Sequence, residues 1–267
     1  MRTRTIFITI FLLTASFLKA QENKILFVMS AAKELPLKNG KTYNQTGVFL
    51  SEFYLAYKEV VDLGYVVDFA TPGGIASSID KESYDLTYWK GNEGLLQEAI
   101  DFVSSSPKFN GPLSLESALQ NTNTYAGIIV PGGQGLMVDL IHDKNMSEIL
   151  KAFFHNKKPI GLICHAPALI LSIPKAENPF IGYRVNSVSG FEEFYIENIV
   201  MKGKPYNRKI AKQLKRLGLD YKHGKPKQNF AIRDRELITS QNPFSNEAFI
   251  KLYIEALEEY RIKNGGF

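Results

Sequence analysis

Apolar residues fall along the chain in two alternating rhythms. Four short, nearly unbroken hydrophobic runs, Lys24–Met29, Tyr65–Ala70, Tyr125–Val130 and Pro159–Cys164, lead into residues suited to sharp turns. Runs this short and continuous predict strands buried on both faces, as in a parallel sheet. Between them the apolar spacing lengthens to that of helices. Val48–Leu63 places Phe49, Phe53, Ala56 and Val60 at helical intervals, and Glu148–Asn156 and Pro167–Ser172 also read as helices. The alternation predicts an α/β fold, a doubly wound, mostly parallel sheet in a three-layer sandwich with right-handed crossovers.

Two stretches interrupt this rhythm. Gly73–Asn123 reads as a long insertion, with loop clusters near Gly73–Ser78 and Ser104–Pro112 around a helix at Leu95–Val103. The tail reads as a strand at Glu236–Thr239, a turn, and a closing helix at Phe249–Glu258. Asn242 is placed there as an N-cap, with Pro243 at the first helical position. No repeat or linker divides the chain, so residues 21–267 are expected to form one domain.

The first twenty residues stand apart. Arg2 and Arg4 precede an apolar run, Thr5–Leu18, too short for a comfortable membrane span, and Lys19-Ala20-Gln21 follows it. This pattern predicts a secretory signal over residues 1–20 and an exported chain, periplasmic or secreted, with no stable membrane insertion after its removal. The competing reading is an uncleaved anchor. No cysteine follows the run, which excludes a lipoprotein anchor on such a residue.

Composition then removes several classes of protein. The 267 residues are 45% hydrophobic and 22% charged, with 20 Gly and 12 Pro, which excludes a disordered or collagen-like chain. The single cysteine, Cys164, excludes an internal disulfide and a zinc site built from several thiolates. The net charge of +5 falls to +2 without Arg2, Arg4 and Lys19. Lys202–Gln228 holds ten Lys/Arg against Asp220 alone, which leaves −7 for the remainder. Such a basic face could meet nucleic acid, yet no recognition motif or aromatic interleaving accompanies it. The solvated side of a helix around Asn207–Leu217 accounts for it, and no nucleic-acid partner is expected.

The sharpest chemical signal is Gly161-Leu-Ile-Cys164-His165-Ala166-Pro167. An apolar strand running straight into a cysteine, with a proline ready for the first helical turn, thrusts the thiol out of the sheet. Helix N–H groups there are expected to favour the thiolate, and His165 supplies a proton carrier or cationic neighbour. The competing reading is a lone buried cysteine acting as a small hydrophobe. A second signal is Val130-Pro131-Gly132-Gly133-Gln134-Gly135, whose glycines let the backbone approach a ligand and point N–H groups at it. It lacks the spacing of a dinucleotide or phosphate loop, and a tight turn would also explain it. Both loops should open at the carboxyl edge of neighbouring strands.

Pro131–Gly135, followed about thirty residues on by Ile163-Cys164-His165-Ala166-Pro167, resembles the ThiJ/PfpI superfamily of class I glutamine amidotransferase-like proteins. Thr46-Gly47-Val48-Phe49-Leu50-Ser51-Glu52 is similar to a segment of its glutathione-independent glyoxalase III and chaperone branch. Gly64–Pro72 and Leu237–Pro243 resemble that branch as well. The resemblance implies a flavodoxin-like sandwich, usually dimeric, so a homodimer is expected. It also implies that Cys164 is the nucleophile, His165 its neighbouring histidine and Glu52 the acid that contacts the thiol. Gly132 and Gly133 would hold the substrate oxygen. The triad carboxylate falls on Glu193, with Glu192 as fallback. Phe49 and Phe53 beside Glu52 turn its helix face inward, and a carboxyl buried near a thiol has its pKa raised. Several positions depart from the family's pattern: Ala166, Gln134, Gly190, and Leu55-Ala56 where some members have a metal-binding histidine. No metal and no cofactor are expected.

The activity these residues imply is conversion of small reactive carbonyls, 2-oxoaldehydes such as methylglyoxal, to hydroxy acids, or the related deglycation. Cys164 would form a hemithioacetal, with Glu52 and His165 moving protons. The alternative is a stress-related holdase or redox sensor whose Cys164 is oxidised without turnover, its apolar client surface supplied by Gly73–Asn123 and the many aromatics. An amidase or peptidase is a third reading, for which no amide-recognition motif is present.

Overall fold

Four hydrophobic runs do become the centre of one sheet. The computed structural model describes residues 23–264, so the leader expected at residues 1–20 lies outside the described residues. In chain order the strands are β1 (Lys24–Val28), β2 (Glu34–Pro36), β3 (Thr42–Asn44), β4 (Val66–Thr71), β5 (Leu113–Ser114), β6 (Gly127–Val130), β7 (Ile160–Ile163), β8 (Arg184–Val185), β9 (Asp220–Tyr221), β10 (Ala231–Asp234) and β11 (Leu237–Ser240). The helices used below are α1 (Leu50–Asp62), α2 (Glu93–Ser105), α3 (Leu115–Gln120), α4 (Lys144–His155), α5 (Gly190–Tyr195), α6 (Ile210–Leu217) and α7 (Asn246–Lys263).

Seven strands pair in the order β10-β11-β7-β6-β1-β4-β5, all parallel except β10 against β11. Leu26 of β1 sits between Asp68 of β4 and Ile128 of β6, and Ile25–Val28, Ile128–Val130 and Ile160–Ile163 are buried. Burial on both faces is why these strands carry no polar alternation. α1, α2 and α7 pack on one side, and α3, α4, α6 and the 3₁₀ turns of Ala166–Ser172 on the other. Two glycines let α7 approach closely. A Cβ on Gly161 would meet Phe249 Cζ at 2.6 Å, and one on Gly127 would overlap the Tyr253 hydroxyl. Around Phe53 the α1 side is packed with rings: Phe27 at 5.8 Å, Phe69 at 5.7 Å and Phe109 at 5.1 Å between centroids.

Several expectations change in detail. Gly73–Asn123 is not an excursion from the sheet, because Leu113–Ser114 pairs in parallel with Ala70–Thr71 and forms its edge. α4 begins at Lys144 rather than Glu148, since the Asp143 side chain accepts from Asn145 and Met146 N–H and starts the helix there. Pro167–Ser172 winds as 3₁₀ turns instead of an α-helix. The Asn242 side chain accepts from Phe244 N–H, as a cap does, but over a 3₁₀ turn that leads into α7. Among the described residues no helix is long and apolar enough to cross a membrane.

Candidate active site

β7 delivers Cys164 at the carboxyl edge of the sheet. Its N–H donates to the Ser240 carbonyl at 2.8 Å and its own carbonyl accepts from Val188 N–H at 2.9 Å. Between these anchors the backbone takes φ +60°, the left-handed region, as the elbow predicts. The buried thiol borders a cavity of about 350 Å³ rimmed by Phe49, Tyr88, Phe191, Phe244 and Lys227. The expected thiolate is not what this environment favours. Burial pushes the Cys164 thiol well above its ordinary range, the Glu52 charge adds to the shift, and the His165 backbone N–H opposes it only in part. Desolvation outweighs any dipole from the short 3₁₀ segment that follows.

Glu52 sits in the first turn of α1 and is fully buried. Its Oε2 accepts from Gly132 N–H at 2.9 Å, Oε1 has no hydrogen-bonding partner, and the carboxyl lies against the Cys164 thiol. Burial drives its pKa up to about 8, and the bonds from Cys164 and Gly132 offset only part of that rise. The inward turn follows from Phe53, which is wholly buried one position away.

The two glycines have different duties. Gly132 N–H is spent on Glu52 and its carbonyl accepts from Phe49 N–H at 3.0 Å, so it does not present a donor to a substrate oxygen as expected. A Cβ on Gly132 would fall 2.5 Å from Glu52 Oε2 and 2.8 Å from Cys164 Cβ, which is why this contact needs glycine. Gly133 takes φ +119°, borders the cavity, and its N–H makes no hydrogen bond to another described group.

His165 lies at 3.2 Å from Cys164 Sγ through Nδ1. The acid expected to hold its ring, Glu193, does not touch it. Glu193 accepts from Lys209 N–H at 3.2 Å and Ile210 N–H at 3.1 Å, capping α6, and lies 3.6 Å from Arg208 Nε. The reason is local: Lys209 at the start of α6 offers no capping side chain, and Glu193 fills that need. Burial outweighs the nearby Arg208 and raises the Glu193 pKa to about 7. The fallback, Glu192, borders the cavity but is engaged by Ser189, Gln241 and Asn242. The ring is contacted instead by Gln134, whose Nε2 is 3.2 Å from His165 Nε2. Gln134 Oε1 accepts from Arg208 Nη1 at 2.6 Å. Burial and the Arg208 charge hold the His165 pKa well below its usual value.

Two residues escaped the sequence. Arg208 looked like one more cation of a solvated basic face, yet it is only 9% exposed. Asp80 is buried at the cavity, where desolvation lifts its pKa to about 7, and Glu82 beside it accepts from the Tyr88 hydroxyl. Among the described residues no three His, Cys, Asp or Glu side chains converge to hold a metal ion.

The DJ-1/PfpI family matches residues 112–256 of this chain. The protein/nucleic acid deglycase HchA of Escherichia coli is 24% identical over 234 residues, covering 86% of this chain and 80% of the relative. Among solved structures, the 24 kDa rapid encystment protein of Francisella tularensis superposes with a TM-score of 0.73 at 22% identity, covering 88% of this chain and 99% of the other. Glyoxalase III from Candida albicans gives 0.71 at 23% identity, with 87% and 96% covered.

Proposed function

The chain belongs to the DJ-1/PfpI family, and we propose that it acts there as a glutathione-independent glyoxalase or deglycase on small 2-oxoaldehydes such as methylglyoxal. One observation carries this reading: a strained Cys164 whose thiol lies against the buried Glu52 carboxyl at the floor of a cavity of about 350 Å³. The names and likeness of the deglycase and glyoxalase III relatives support it.

The chemistry needs only these groups and water. Sγ attacks the aldehyde carbon, the carbonyl pair moves to oxygen, and the thiol proton passes to the Glu52 carboxylate and then to the adduct oxygen. In the resulting hemithioacetal, Glu52 takes the proton from the carbon bearing sulfur. An enediol forms and is reprotonated at the neighbouring carbon, giving a hydroxyacyl thioester. Water cleaves the thioester to hydroxy acid and free thiol, so hydrogen moves within the substrate and no oxidant is consumed. Gly133 N–H is the donor for the developing oxyanion. Deglycation would start from the same adduct.

Incubation of purified protein with methylglyoxal, without glutathione, should yield lactate, and Cys164→Ala should abolish it. No lactate from the unaltered protein, or an unchanged rate in Cys164→Ala, would overturn the proposal. A holdase role is the second reading, favoured by Phe191 and Phe194, which are 65% and 61% exposed on α5. These rings are among the aromatics expected to supply a client surface, and they lie outside Gly73–Asn123. Suppression of client aggregation that survives Cys164→Ala, with no turnover, would favour it.

A further inference from the structure

His165 stands between two groups whose chemistry fixes where its proton resides. A guanidinium only donates, so the Gln134 atom that Arg208 Nη1 meets at 2.6 Å is the amide oxygen. The amide NH₂ is thereby turned toward His165 Nε2, 3.2 Å away. An NH₂ group donates and does not accept, so Nε2 receives that hydrogen bond and carries no hydrogen. The proton of the neutral ring is then on Nδ1, 3.2 Å from Cys164 Sγ. We infer that Gln134 and Arg208 are positioning residues that lock His165 as the neutral Nδ1–H tautomer, a fixed hydrogen-bond donor to the sulfur and its adduct.

This lock deepens the glyoxalase reading and rests on it for its catalytic half. It removes His165 from proton carriage: an imidazole whose only proton faces the sulfur cannot take another there, and Nε2 is closed by Gln134. The thiol proton must go to Glu52, and His165 keeps its Nδ1 hydrogen while the S–C bond forms. Arg208 is held for the task from behind, with Nε 3.2 Å from Glu197 and 3.6 Å from Glu193. Glu193 thus reaches the ring only through Arg208 and Gln134. Protonating Nε2 would require the amide to turn over and present NH₂ to the guanidinium. The buried Arg208 charge opposes a second cation in the same place.

The test is a long-range ¹H–¹⁵N spectrum of histidine-labelled protein at pH 7, with His165 signals identified by their loss in His165→Gln. The unaltered protein should show the Nδ1–H pattern. In Gln134→Glu a carboxylate accepts from both Arg208 and the ring, so the proton should move to Nε2. In Arg208→Met the amide is free to turn, and both tautomers should be populated. An Nε2–H pattern in the unaltered protein, or an unmoved pattern in both variants, overturns the lock. With methylglyoxal, Gln134→Glu should lower kcat by about tenfold or more with KM little changed. A moved proton with unchanged kcat overturns the catalytic half. If the unaltered protein makes no lactate, the glyoxalase reading fails, while the spectrum still decides the tautomer.

Discussion

Replacing Glu52 by Gln should make the protein more stable at alkaline pH while removing its activity. The carboxyl is fully buried and its pKa stands at about 8 against an ordinary 4.5. An acid whose folded pKa is raised binds its proton more tightly in the folded state. Stability from this group is therefore complete below about pH 4.5 and is lost as pH rises toward 8. Each pKa unit corresponds to about 1.4 kcal/mol, so the whole shift amounts to roughly 5 kcal/mol, and about 4 kcal/mol of it is lost between pH 5 and pH 9. Glutamine keeps an oxygen for Gly132 N–H and carries no charge to desolvate. Denaturant melts of both proteins under reducing conditions at pH 5, 7 and 9 give the comparison. Asp80 and Glu193 also have raised pKa values, but they titrate in both proteins and cancel to first order in the difference. The stability of Glu52→Gln relative to the unaltered protein should climb by several kcal/mol across that range. A difference that stays constant with pH would refute the assignment of a buried, proton-retaining carboxyl.

Other outcomes follow from the same geometry. If Glu52 receives the thiol proton, kcat/KM should rise about tenfold between pH 7 and 9 around a midpoint near 8, and a flat profile would refute that role. Because Cys164 holds φ +60°, Cys164→Gly should exceed Cys164→Ala in stability by about 1 kcal/mol, read from paired thermal melts. Equal stability would remove the strain argument. Gly161→Ala should cost about 1–3 kcal/mol, since its Cβ meets Phe249 and Tyr253 at 2.6 and 3.0 Å. Gly190→Ala, with nothing within 4 Å, serves as the neutral control.

The parts of the molecule that could be read from the sequence are those governed by burial along a short segment. β6, β7 and all of β1 after Lys24 are buried on both faces and therefore apolar. β10 could not be found this way, because all four of its residues are half-buried and half of them are charged. Glu52 was legible because Phe49 and Phe53 reveal which way its helix turn faces. Cys164 was legible because a strand ends on it. The contact of His165 was not, since choosing among Glu193, Glu192 and Gln134 depends on long-range placement that spacing along the chain does not encode. Glu193 went to the backbone of α6, whose start lacks a side-chain cap. Arg208 was concealed by its neighbours: nine other cations in Lys202–Gln228 made a buried guanidinium look like part of a solvated face.

Gly133 cannot carry a side chain without overlapping the Gly47 carbonyl, and Gly132 is wedged between Glu52 and Cys164. The floor of the site is thus an interlocked unit that tolerates almost no mutation. Its rim is assembled differently, from Phe49, Tyr88, Phe191, Lys227 and Phe244, most of which belong to separate segments of the chain. Selection can therefore exchange rim residues one at a time, altering which molecules are admitted, while the reagent beneath stays untouched. Drift in specificity at constant chemistry is the evolutionary course this division leaves open.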